Sequence, residues 1–133
     1  MLRILFSSAF IFLLLIFNSC GNERVGCNGR IIVENQIPDT TLYVGGEEYR
    51  RDISEPPKVF SHTESERIHI EVTAEDIDIV GAGTAIDENN NRQIIKVRAK
   101  KSGSTMVEVI GQDDCPDGGT PTSFNVTVVD TTN

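Results

Sequence analysis

Two patterns of apolar residues divide the chain. Residues 4–17 are almost continuously apolar, interrupted only by Ser7 and Ser8. This run of 14 residues is shorter than the ~20 residues a helix needs to cross a bilayer. It has the length of a signal-peptide apolar region. Beyond Asn28 the pattern changes to short stretches in which apolar and polar residues alternate, separated by clusters of Gly, Pro, Asn and Asp. Alternation with period two places one row of side chains inward and the other in water, as on a half-buried strand.

Residues 30–34 form the first candidate strand. Residues 41–44 form a second that stops at Gly45-Gly46, and 49–53 a third that Pro56-Pro57 ends. Ile68, Ile70 and Val72 then alternate with His69, Glu71 and Thr73. Ile77, Ile79 and Ile86 flank Gly81-Ala82-Gly83, whose composition predicts a flexible break. Asp87 to Asn91 reads as a turn. Ile95, Val97 and Ala99 are expected to face inward with Lys96, Arg98 and Lys100 outward. After Lys101-Ser102-Gly103, the row Thr105, Val107, Val109 and Gly111 is expected inside, and Phe124, Val126 and Val128 close the series. No segment beyond the leader carries the i, i+3, i+4, i+7 spacing of an amphipathic helix. The expectation is an all-β, antiparallel β-sandwich of about seven strands.

Ser19 and Cys20, at the end of the apolar run, resemble the close of a bacterial lipoprotein signal, where a small residue precedes an obligatory cysteine. Phe17 and Asn18 stand where that motif usually has leucine and a small residue. The resemblance implies diacylglycerol on the Cys20 sulfur, cleavage before Cys20 and acylation of the new amino terminus. Two or more acyl chains anchor a protein stably, whereas one holds it only marginally. Residues 1–19 are therefore expected to be a signal peptide and 20–28 a lipidated cysteine with a short tether. Residues 29–130 would be one domain and 131–133 a tail. Gly21, not Asp, follows Cys20, which removes one family-level cue for inner-membrane retention. The expected location is the bacterial cell envelope, with the outer membrane preferred.

Charge narrows the partners. The leader contains one of the 12 basic residues and none of the 20 acidic ones, so the remainder carries about −9. That balance argues against nucleic acid and against adhesion to anionic lipid, leaving the lipid on Cys20 as the membrane contact. Beyond Cys20 two cysteines remain, Cys27 and Cys115. In an exported chain a leftover pair reads as a disulfide. The rival reading, a metal site or a catalytic thiol, has few supporting ligands, since His62 and His69 are the only histidines.

Four segments resemble the bacterial Ig-like domains of the cadherin-like type. Residues 37–45, IPDTTLYVG, are similar to their opening strand, and Asp52-Ile53-Ser54 followed by Phe60 to their second strand and its exit. Residues 103–113, GSTMVEVIGQD, and 123–128, SFNVTV, are similar to the last two strands. Family members usually stand in tandem, and many carry an Asp-rich loop after the position matched by Phe60. Here that loop reads SHTESE over 61–66. In such a sandwich the start of the first strand and the loop between the last two strands share one end, where Cys27 and Cys115 would meet.

Candidate chemistry is sparse. His69 with Glu71 two positions on is a pair type that binds metal or moves protons, but a solvated strand face accounts for it. No serine or cysteine comes with a recognisable base, and no Gly-rich phosphate loop opens a helix. Glu75, Asp76, Asp78, Asp113, Asp114 and Asp117 make oxygen-rich loops of the kind that suits calcium, without EF-hand spacing. The basic row Arg92, Lys96, Arg98, Lys100 is expected to pair with neighbouring acids and protect an exposed strand. Tyr43, Tyr49 and Phe60 are the aromatics expected near the surface, and there is no Trp to stack on sugars.

These readings predict no catalytic residues, no metal and no cofactor. The expected role is a non-catalytic, lipid-anchored binding or adhesion module contacting protein, or secondly polysaccharide, through loops or strand edges. The alternative is a structural accessory subunit of a larger envelope complex.

Overall fold

The structure is a computed structural model and describes residues 29–64, 67–115 and 119–131. The leader, Cys20 and Cys27 lie outside the described residues. Among the described residues there is no helix, and nine strands carry the fold. They are β1 (Ile31–Val33), β2 (Thr40–Tyr43), β3 (Tyr49–Asp52), β4 (Phe60–His62), β5 (His69–Ala74), β6 (Val80–Asp87), β7 (Arg92–Ala99), β8 (Gly103–Gln112) and β9 (Thr120–Val129). They form a four-stranded sheet in the order β2-β9-β8-β5, a three-stranded sheet β3-β7-β6 and a pair β1-β4. All pairings are antiparallel except that of β2 with β9.

The alternating rows behave as their period dictates. Ile70 and Val72 of β5, Ile95 and Val97 of β7, Thr105, Val107 and Val109 of β8, and Phe124, Val126 and Val128 of β9 are all buried. The Tyr49 ring of β3 meets the Phe124 ring of β9 at a centroid distance of 5.7 Å. That contact joins residues of the two larger sheets across one apolar interior, an arrangement consistent with a β-sandwich. Tyr49 is therefore a packing residue, and Phe60 is buried too; of the three aromatics expected near the surface only Tyr43 is largely exposed.

Nine strands appear in place of about seven because the early part of the chain changes partners. β1 pairs with β4, while β2 crosses to lie beside β9, Thr40 opposite Val126. The Asp39 carboxylate fixes this crossing by accepting the Asn125 backbone N–H at 2.8 Å. β4 has only three residues, too few to show alternation. Gly81-Ala82-Gly83 does not break the chain but lies inside β6, opposite Arg98, Val97 and Lys96. At Gly81 the lack of a side chain makes room for a neighbour: a Cβ there would come within 3.2 Å of the Cε of Lys100, the residue after β7.

Gly111, the last member of the inward row on β8, leaves a gap that the Phe60 ring fills. A Cβ at Gly111 would lie 3.1–3.2 Å from three ring carbons of Phe60. Burying a Phe side chain contributes about 2–3 kcal/mol, so this fit anchors β4 across the interior. It also sets the position of the segment that leads into the site below.

Candidate functional site

The site arises where strand pairing stops. β3 accompanies β7 from Tyr49 opposite Val97 to Asp52 opposite Ile94, and no further. The Ile53 carbonyl then accepts the Val59 N–H at 3.1 Å, closing a loop, after which β4 pairs with β1 instead of β7. The parting leaves the start of β7 facing β4 and the approach to β5 across a cleft of about 1010 Å³. That volume is at the upper end of small-molecule sites. Ile53, Phe60, Ile68 and Ile86 supply its apolar wall, and Ser54, Ser61, Asn91 and Gln93 its neutral polar groups. Lys58, Arg67 and Arg92 supply cations, beside His62 and His69. Among the described residues no Asp or Glu lines it, although acids outnumber bases 20 to 12 in the chain.

Neighbouring side chains hold the walls in place. The Asp52 side chain is 7% exposed, and one carboxylate oxygen accepts the Ser54 N–H at 2.8 Å and the Ser54 hydroxyl at 2.6 Å. Its other oxygen faces the Arg92 Nη1 at 3.7 Å. Burial alone would raise the Asp52 pKa, but the two Ser54 donors and the Arg92 charge outweigh it and hold the carboxyl below its ordinary value. Gln93 Oε1 accepts the Ile70 N–H at 2.9 Å, tying β7 to β5. Asn91 closes the β6–β7 hairpin with a φ of 55°, a left-handed conformation that Asn tolerates better than most residues.

His62 is fastened at both ring nitrogens. Nε2 lies 3.0 Å from Asp113 Oδ2, and Nδ1 accepts the Glu64 N–H at 3.1 Å. With Nδ1 serving as acceptor, the neutral ring carries its proton on Nε2 and donates it to Asp113, an assignment from the hydrogen-bond network. The other Asp113 oxygen accepts the Cys115 N–H at 2.9 Å. The His62 donor, followed by the Cys115 amide, holds the Asp113 carboxyl below its ordinary value. A side chain at position 29 would collide with the His62 ring, so the glycine lets the entering chain pass close over it. Cys115 itself is disulfide-bonded. Its expected partner, Cys27, lies outside the described residues.

A pH dependence follows from Asp113. A carboxyl whose pKa is lowered by folding stabilises the folded state above its unfolded value, near pH 4, and that contribution is lost as pH falls through the folded value. Asp113→Asn should therefore lower the melting temperature at pH 7 and flatten part of the decline below about pH 4. Thermal unfolding from pH 2.5 to 7 checks this; a parallel acid limb in the variant would show that the contact contributes nothing.

The other candidates from the sequence find local partners. His69 faces Asp114 at 3.4 Å, both well exposed, and Glu71 accepts a hydrogen bond from Gln112 at 3.3 Å. Within the basic row, Arg92 pairs with Asp52, Lys96 with Glu48 at 3.3 Å, and Lys100 donates to the Ile77 carbonyl at 2.9 Å. Among the described residues no three His, Cys, Asp or Glu gather as a metal site; Glu66 and Asp117 lie outside them. Sequence reasoning missed Lys58 and Arg67 as site residues, because each reads as an ordinary loop cation. The position of Lys58 depends on the loop closed by Ile53 and Val59. No family model matches the chain, and no curated protein matches it.

Proposed function

We propose that this chain is a non-catalytic, lipid-anchored binding module of a bacterial cell envelope, built on an Ig-like domain of the cadherin-like type. The observation that carries the binding role is the cleft between β4 and β7, which combines apolar side chains with cations and has no carboxylate among its described lining residues. The Ser54 hydroxyl in its wall donates to Asp52 and the Ser61 hydroxyl to Glu34, while both His62 nitrogens are engaged. Neither of these two hydroxyls is thereby paired with an imidazole ready to take its proton, which supports binding over nucleophilic catalysis.

The strand order supports the Ig-like reading. If β1 and β2 are halves of one interrupted strand, and β3 and β4 halves of the next, seven strands remain. Strands one, two, five and four then make one layer, and the second half of strand one joins seven, six and three in the other. That partition matches the constant-type Ig sandwich, with an additional parallel edge. Protein is preferred to polysaccharide as the partner, since the chain has no Trp to stack on sugars. The anchor reading rests on Cys20, nine residues before Gly29. An extended tether of that length reaches about 30 Å, which keeps the domain near the membrane.

Cys20→Ala tests the address. The variant should leave the membrane fraction and retain an unprocessed leader. In intact wild-type cells a membrane-impermeant amine reagent should label Lys58, Lys96, Lys100 and Lys101 if the domain is displayed at the surface. Labelling only after permeabilisation would instead favour a periplasmic accessory subunit. Unchanged fractionation and processing of Cys20→Ala would overturn the lipoprotein reading.

A further inference from the structure

We infer that the cleft between β4 and β7 is a binding site for a small organic monoanion, a carboxylate joined to an apolar body. This names the ligand class of the binding module proposed above, and does not depend on the anchor. Lys58 and Arg92 bring two cations to the cleft, and none of the described residues that line it is a carboxylate. In a chain with a net charge of −8, these two groups offer an anion a favourable place to settle. Arg92 is held from behind by Asp52 yet keeps half of its side chain exposed, so its remaining N–H groups are available to a carboxylate. Lys58 is exposed and forms no ion pair among the described residues.

The apolar side calls for more than a bare anion. Phe60 is buried in the cleft wall, Ile68 is half-buried, and Ile86 is 53% exposed at the end of β6. A hydrocarbon body laid along Ile68 and Ile86 would remove that surface from water, which favours binding. A free phosphate would be drawn by the cations but would leave the apolar wall uncovered.

The rim limits size and charge. Glu64, Glu88 and Asp114 are exposed and neighbour lining residues: the Glu64 N–H donates to His62, Asp114 faces His69, and Glu88 belongs to the turn that ends at Asn91. A polyanion or an anionic membrane would meet these carboxylates first and be repelled. A single carboxylate that passes them comes close to the cations, where screening is weak compared with distances beyond ~8–10 Å. The selectivity is therefore for one negative charge on a compact apolar molecule.

The test is equilibrium dialysis of radiolabelled hexanoate against the full chain in a nonionic detergent, with detergent alone as blank. Hexylamine and inorganic phosphate serve as comparison probes. Hexanoate should bind saturably at one site per chain, and more weakly in about 0.5 M salt. Lys58→Glu and Ile86→Asp change exposed positions and should each weaken it by about tenfold or more. Lys101→Glu, outside the cleft, should leave it unchanged. Absence of saturable hexanoate binding, equal uptake of hexylamine, or unchanged affinity in Lys58→Glu would overturn the site. Phosphate binding as tightly as hexanoate would overturn its apolar half. If the dialysis fails while Cys20→Ala is released from membranes, this site falls and the anchor reading stands.

Discussion

Phe124→Ala should lower the stability of the domain by about 3–5 kcal/mol, the range for truncating a buried aromatic to alanine. Phe124 is 2% exposed, stands opposite Val107 on β8, and meets the Tyr49 ring of β3 across the interior. Its neighbours belong to two sheets, so neither can collapse into the space without disturbing its own hydrogen-bonded register. The cost thus includes the cavity as well as the lost apolar transfer. Against a total of about 5–15 kcal/mol for an ordinary domain, this is a large fraction. Urea unfolding should show a lower midpoint at an unchanged slope, and the melting temperature should fall by roughly 15–30 °C. Met106→Ala provides the contrast, because Met106 lies on the outer face of the same sheet at 38% exposure. It should change stability by no more than about 0.5 kcal/mol. A similar small change in Phe124→Ala would show that the two sheets are not joined through this ring.

Cys115→Ser should cost about 4 kcal/mol if Cys27 is the partner, because the closed loop would then span about 89 residues. The chain-entropy argument locates this effect mainly in the unfolded state, so the folded contacts beside Cys115 should persist. Asp113 receives the backbone N–H of residue 115, which a serine retains. Reduction of the unmodified protein should reproduce the loss, and adding Cys27→Ser to Cys115→Ser should cost little more. A peptide map made without reduction should join the segments holding Cys27 and Cys115. A link from Cys115 to Cys20 would overturn this pairing and the lipid anchor together, since one sulfur cannot carry both bonds.

The cleft was far less legible in the sequence than the interior. Lys58 follows two prolines, Arg67 sits in a loop, and neither shows a motif. His62 and Asp113 are 51 residues apart, and no local spacing relates them. The gap at Gly111 can be recognised only once Phe60 is known to cross from β4 to β8. Gly81-Ala82-Gly83 reads as a flexible break from composition and is continuous strand in the fold, because composition describes the freedom of the chain and not the neighbour that removes it. In β6, pairing with β7 supplies the hydrogen bonds that keep those residues extended.

What the sequence determined by itself is the alternation that buries Ile70 with Val72, Ile95 with Val97, Val107 with Val109 and Val126 with Val128. Residues two apart on a strand share a face whatever lies beside them, so this information is local. The tertiary structure alone decided that β3 leaves β7 after Asp52, that β4 turns to β1, and that the space between receives Lys58 and Arg92 beside an apolar wall. Those outcomes depend on which strands become neighbours. That choice is made by burial and hydrogen bonding summed over the whole chain, and no short segment contains it.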